Sequence, residues 1–140
     1  MLEVSLLVAS ICLALAYAYA NGMNDAANAI ATVVSTRALT PLAAVIMGGM
    51  LNAVGALAGT AVAKTIGKGI IDPSDMTQYA VIAAIAASVI WVFFATRLGL
   101  PVSVSHSLIA GVVGAGGAVA GFGSLNTTVL TKVLLALALS

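Results

Sequence analysis

Charge is what this chain of 140 residues has least of: five Lys and Arg, four Asp and Glu and one His, so that 6% of its residues are charged. A soluble domain carries about 25%. So few charges cannot cover a surface that faces water, which excludes an ordinary soluble domain. Cysteine is nearly absent as well. Cys12 stands alone in an apolar run, so one chain can build neither a disulfide nor a thiolate metal site, and the residue is expected to pack as a small hydrophobe. The net charge of +1 lacks the basic excess of a nucleic-acid binder. No nucleophile and base at a workable spacing, and no cluster of metal ligands, marks an enzyme.

What is present in excess is apolar: 62% of the residues are hydrophobic, mainly Ala, Val, Leu and Ile spread along the whole length. One signal peptide or one anchor would confine the excess to one segment. The composition therefore predicts an all-α, multi-pass membrane protein, with residues 1–140 forming a single membrane domain; its expected location is the cell (plasma) membrane.

The spans follow from the charges. Leu2 to Ala20, continuing through Ala29 to Val34, exceeds the ~20 residues that cross a bilayer. Pro41 to Ala63 is a second span, bounded by Arg37 and Lys64, with Pro41 suited to a first helical turn. Lys64 to Gln78 reads as the polar loop, around Asp72-Pro73. Tyr79 to Ala95 is the third span, and Trp91 near Arg97 is an interfacial anchor. Residues 99 to 123 are apolar enough for the membrane but hold Pro101, a Ser/His cluster and the Gly114 to Gly117 run. They predict a broken helix or re-entrant hairpin, since irregular backbone at membrane depth survives only where protein or a water-filled cavity satisfies it. Thr127 to Ser140 begins another helix without a closing loop, so a fragment or a shortened protein is expected. Arg37 and Arg97 balance Lys64 and Lys68 across the spans, so orientation stays open under the positive-inside rule.

Within this apolar setting, NGMNDAANAIATVVST (residues 21 to 36) concentrates polar side chains. Asn21, Asn24, Asp25 and Asn28 follow the i, i+3, i+4, i+7 pattern, and Thr32, Ser35 and Thr36 extend the stripe. In lipid such a face must turn to the bundle interior, a partner or an aqueous cavity, because a carboxylate at bilayer depth costs at least ~2.5 kcal/mol. The competing reading is that the Asn residues only glue helices together and that Asp25 is protonated or shallow. A second cluster, Ser103, Ser105, His106 and Ser107, follows Pro101, where a helix can start with free amide donors that attract anions. Its hydroxyls and amides can replace the hydration shell of an oxyanion such as phosphate, while Asp25 and Asn28, with backbone carbonyls, can hold a cation beside it. His106 is either a packing residue or a ligand, and its pKa range suits a proton-linked step.

NGMNDAANAIATVVSTRALTP resembles the signature of the inorganic phosphate transporter (PiT) family, sodium- or proton-coupled symporters with G-x-N-D-x-x-N-A followed by a Ser/Thr-rich stretch and R-A-L-T/S-P. LPVSVSHSLIAGVVGAG is similar to the family's second element. The resemblance implies one half of an inverted-repeat transporter, each repeat giving a signature helix and a re-entrant helical hairpin to a central site. On that basis Asn24, Asp25 and Asn28 match the cation-binding signature, sodium if the coupling is to sodium. Asp25, Asn28, Ser103, Ser105, His106 and Ser107 are the expected substrate-binding residues. No cofactor is implied; the partners are inorganic phosphate, a coupling cation, the bilayer and a second repeat or a homo-oligomer partner. The family carries its signature twice and this sequence once, so half of the expected site lies elsewhere. Asn52 stands where family members carry Glu or Asn, leaving one fewer carboxylate for coupling, or it is a helix-packing Asn. A cation-coupled phosphate symporter accounts for both motifs together. The alternatives are a channel, which needs no acid and anion-seeking hairpin in one site, and a non-transporting fragment or interaction subunit.

Overall fold

The computed structural model describes residues 2–58, 69–72 and 74–139. They form five α-helices in chain order: α1 Leu2–Ser35, α2 Pro41–Ala58, α3 Gln78–Arg97, α4 Val104–Ala120 and α5 Thr127–Leu139, with a 3₁₀ turn at Phe122–Ser124 before α5. No strand occurs among the described residues. Polar side chains set the helix starts. The hydroxyls of Thr40 and Thr77 accept from Ala43 N and Ala80 N, and Asn126 Oδ1 accepts from Val129 N, each satisfying one orphan donor of a first turn. After α3, Gly99 takes φ 68°, Gly99 N donates to Thr96 O and Leu100 N to Ala95 O. This Schellman ending, with Pro101 just beyond, turns the chain sharply into α4.

Two described helices are long and apolar enough to cross a bilayer, Glu3–Ser35 and Gln78–Arg97. At 34 residues, α1 is ~51 Å long against a hydrocarbon core of ~30 Å, so it crosses with a tilt or carries an end beyond it. α2 begins at Pro41 as expected; residues 59 to 63 of the expected second span, and Lys64 and Lys68 of the loop, lie outside the described residues.

Two expectations meet a different outcome. The Gly114 to Gly117 run does not interrupt the chain: α4 is continuous through it, and the break comes at Gly121, φ 84°. The reason is packing. A Cβ on Gly111 would lie 2.5 Å from Ala84 O and 2.7 Å from Ser88 Oγ, and one on Gly117 would lie 2.6 Å from the Phe122 ring. These glycines admit neighbours rather than bend the helix. The second difference is in the expected polar loop, where Ile70 and Ile71 are buried in an apolar cluster with Ile109, against which Val112, Leu125, Val129 and Val133 pack. Asn126 N donates to Ile70 O, which ties the loop to the start of α5. Polar character is kept at Asp72, whose Oδ1 accepts from the Ser74 hydroxyl at 2.6 Å and the Ser74 N–H at 2.9 Å. These two bonds hold its carboxyl below the usual carboxylate range.

Among the described residues the buried hydrophobic side chains are alanine, valine and isoleucine, none larger. Ala20, Ala44, Ala80, Ala84 and Ala95 are buried, whereas large side chains face outward: Leu15 is 66% exposed, Leu42 70%, Ile90 69% and Leu57 87%. A surface this apolar is matched to lipid or further protein rather than to water, and close helix contact through small residues is how membrane helices associate.

Candidate functional site

The site begins where α1 crosses the α3–α4 pair. α3 and α4 run antiparallel, with Ala84 and Ser88 facing Gly111 and Ser107: Ser88 Oγ lies 2.7 Å from Ala84 O and 2.9 Å from Ser107 O. Ser88 is 1% exposed, so this shared donor sits in the helix contact itself. Onto the turn between the two helices packs α1. Ala20 clusters with Val92 and Val104, and the Tyr17 hydroxyl donates to Val104 O at 3.1 Å. The expected signature and the expected anion cluster are therefore neighbours, joined by Tyr17, Ala20 and Val104.

Within the signature, Asn24 points at α3. Its Nδ2 donates to Ala20 O at 3.0 Å, and its Oδ1 accepts from the Thr96 hydroxyl at 3.2 Å. Asp25 and Asn28 are exposed. At about 100° per residue, Asp25 lies ~100° around the helix from Asn24, off the α3 contact, while Asn28 lies ~40° from it, one turn further along the same face. Asn21 is partly buried, and Asn52 is exposed on α2.

Ser103 caps α4, its Oγ accepting from His106 N at 3.4 Å, and the same Oγ lies 2.7 Å from His106 Nδ1. The direction of that second bond follows the imidazole tautomer. The Ser107 hydroxyl donates to Ser103 O at 2.8 Å, so its proton is engaged by the backbone. Ser103, His106 and Ser107 line a cavity of about 1010 Å³ along α3 and α4, walled otherwise by Trp91, the turn of Leu100, Pro101 and Val102, and small residues. Ser105 is exposed and lies about half a turn from that wall. Only at the amino end of α4, toward which helical side chains tilt, can Ser103 and Ser105 approach one ion from opposite sides. Val104 N and Ser105 N, first-turn amides, stand at the same end.

Sequence reasoning passed over Tyr17, Ser88 and Thr96. A lone hydroxyl in an apolar helix is the ordinary state of Ser and Thr in membrane spans, bonded to its own i−4 carbonyl. Thr96 does bond Val92 O at 2.7 Å. The only sequence signal for its second role was its nearness to the charged end of α3 at Arg97.

Residues 21–140 match the family model described as the phosphate transporter family. The chain is 45% identical to a probable low-affinity inorganic phosphate transporter of Bacillus subtilis, over 91% of this chain and 39% of that protein. It is 44% identical to one of the same name in Streptomyces halstedii, over 99% of this chain and 66% of that protein. A third, in Rhizobium meliloti, is 43% identical over 96% of this chain and 41% of its own length. The chain thus spans less than two thirds of the length of these relatives. No solved structure matches it.

Proposed function

The chain belongs to the phosphate transporter family, a family of transporters rather than enzymes, and we propose that it forms one part of a symporter that carries inorganic phosphate across the cell membrane with sodium or protons. The observation that carries this reading is the junction of the two motifs: Tyr17 and Ala20, just ahead of Asn24 and Asp25, contact Val104 in the first turn of α4. An anion and a cation bound on either side of that contact would be close enough to lower each other's desolvation cost.

In this reading, phosphate sits at the amino end of α4. Ser103, Ser105, His106, the Val104 and Ser105 amides and, one turn deeper, Ser107 surround it. Free amides and a helix N-terminus favour negative charge there. Asp25 and Asn28, with Asn24 beside them, hold the cation. Asp25 alone would repel the anion, and a bound cation cancels that repulsion, so the two solutes load together. The exposure of Asp25 and Asn28 fits a site completed by a second half, as in transporters whose midplane sites lie between repeats. With 17 residues, α4 is ~25 Å long, short of the ~30 Å core, which supports a re-entrant leg that enters the membrane and turns back from Gly121 onward.

The test is Asp25→Asn in the complete transporter chain, reconstituted in liposomes. The variant keeps side-chain shape and removes the charge. Cation-driven uptake of labelled phosphate is expected to vanish while membrane insertion stays normal. Uptake that keeps its cation dependence would refute the role given to Asp25.

A further inference from the structure

We infer that Thr96 is a positioning residue for the cation side of the site, acting through Asn24 on the rotational setting of α1; the inference rests on the transport reading above. Asn24 has a determined amide orientation. Ala20 O can only accept, so the group 3.0 Å from it is Nδ2, which leaves Oδ1 facing Thr96 and makes the threonine hydroxyl the donor. The Thr96 proton is shared with Val92 O at 2.7 Å, so the hydroxyl is anchored to its own helix while it holds its neighbour.

This bond sits at one end of the face by which α1 meets α3 and α4. Tyr17, Ala20 and Asn24 fall within ~60° of one another around the helix, and of the three only Asn24 is directly followed by a carboxylate. An α-helix is stiff about its axis, so fixing Asn24 against α3 fixes the directions of Asn28 and Asp25. Small-residue contacts such as Ala20 against Val92 and Val104 resist separation of the helices but offer little to resist rotation. The directional restraints on this face are the Tyr17 hydroxyl and the Asn24 carboxamide, and the second lies within the signature. Thr96 thereby holds the cation ligands in register without touching the ion.

The test uses the complete transporter chain in proteoliposomes, with uptake of labelled inorganic phosphate measured against sodium concentration and, separately, against an imposed pH gradient. Removing one interhelical hydrogen bond in a membrane protein changes an equilibrium by roughly 3- to 10-fold. Thr96→Val and Thr96→Ala are therefore expected to raise the half-saturating level of the coupling cation by about that factor, with the maximal rate near wild type. Thr96→Ser, which keeps the hydroxyl, is expected to restore it. As a readout independent of transport, the rate of maleimide labelling at Asn28→Cys, in a Cys12→Ala background, is expected to change when Thr96→Ala is added and to recover with Thr96→Ser. Unchanged cation half-saturation in both variants, or Thr96→Ser behaving like Thr96→Ala, would overturn the inference. So would loss of Thr96→Val and Thr96→Ala from the membrane while Thr96→Ser inserts normally, because the bond would then be purely structural. Absence of wild-type uptake under either gradient would instead overturn the transport reading itself, and this inference with it.

Discussion

Ser103 carries more than one role at the start of α4. Its hydroxyl caps the helix and holds the His106 ring, while its carbonyl takes the Ser107 proton. Ser105 has no such duty to the cap, being exposed on the other side of the first turn. The two serines should therefore differ from Ser107 when truncated. Ser105→Ala is expected to raise the half-saturating phosphate concentration of the complete transporter by roughly 3- to 10-fold, the net weight of about one ordinary hydrogen bond, with little loss of stability. Ser107→Ala, whose hydroxyl proton already serves Ser103 O and which stands one turn deeper, is expected to raise that value by less than Ser105→Ala does. Phosphate titration of uptake rate in the two variants checks both. At this scale the sequence was informative wherever polarity was improbable: Asp25 and the serines around His106 stand out because a charge or a cluster of hydroxyls costs energy in lipid. Thr96 and Tyr17 did not stand out, since a single hydroxyl in an apolar helix is common and its partner lies on another helix.

Helix boundaries were legible for the same local reason. Pro41 reads as a start from its chemistry, and α2 begins there, capped by Thr40. The glycines of α4 were misread because the sequence cannot distinguish a glycine that bends a helix from one that lets a neighbour approach. Gly111 admits a neighbour, and Gly114 neither does so nor bends the helix. A Cβ on Gly111 meets the Ala84 carbonyl and Ser88 Oγ, whereas one on Gly114 meets open space. Gly111→Ala is expected to destabilise the protein by about 1–3 kcal/mol, and Gly114→Ala to leave stability equal or higher by up to ~1 kcal/mol; unfolding in mixed micelles measures the difference. Topology is tested by single cysteines in a Cys12→Ala background. Gly99→Cys is expected to label from one side of the membrane, and Gly123→Cys to resist labelling from the opposite side. Labelling of the two from opposite sides would make α4 a full span.

Over the whole molecule, membrane residence was legible in composition, and the helical class with it. The meeting of α1 with α4 was expected from the two motifs, but the contact that makes it was not, because Tyr17 and Val104 are 87 residues apart and neither bears a signal of pairing. A midplane site shared between repeats takes ligands from both, and this chain spans 39% of its Bacillus relative. The isolated 140 residues in liposomes are accordingly expected to accumulate no labelled phosphate under a sodium or pH gradient. Accumulation above empty liposomes, lost on Asp25→Asn, would show that this segment suffices.

An interior with no buried side chain larger than isoleucine among the described residues has a consequence for how the protein tolerates variation. In a water-soluble domain the damaging changes are those that hollow out a core of Leu, Ile and Phe. Here Ala20, Ala44, Ala84 and Ala95 have almost nothing to trim, and the largest fully buried side chains among the described residues are Ile70, Val92, Val104 and Ser88. A saturation-mutagenesis map should therefore look inverted: permissive to exchange among bulky apolar residues on the lipid-facing ridges, and closed to the gain of even two or three carbons along the seams between helices. Drift within the family would then be recorded on the outside of the bundle, with its seams held to the smallest side chains.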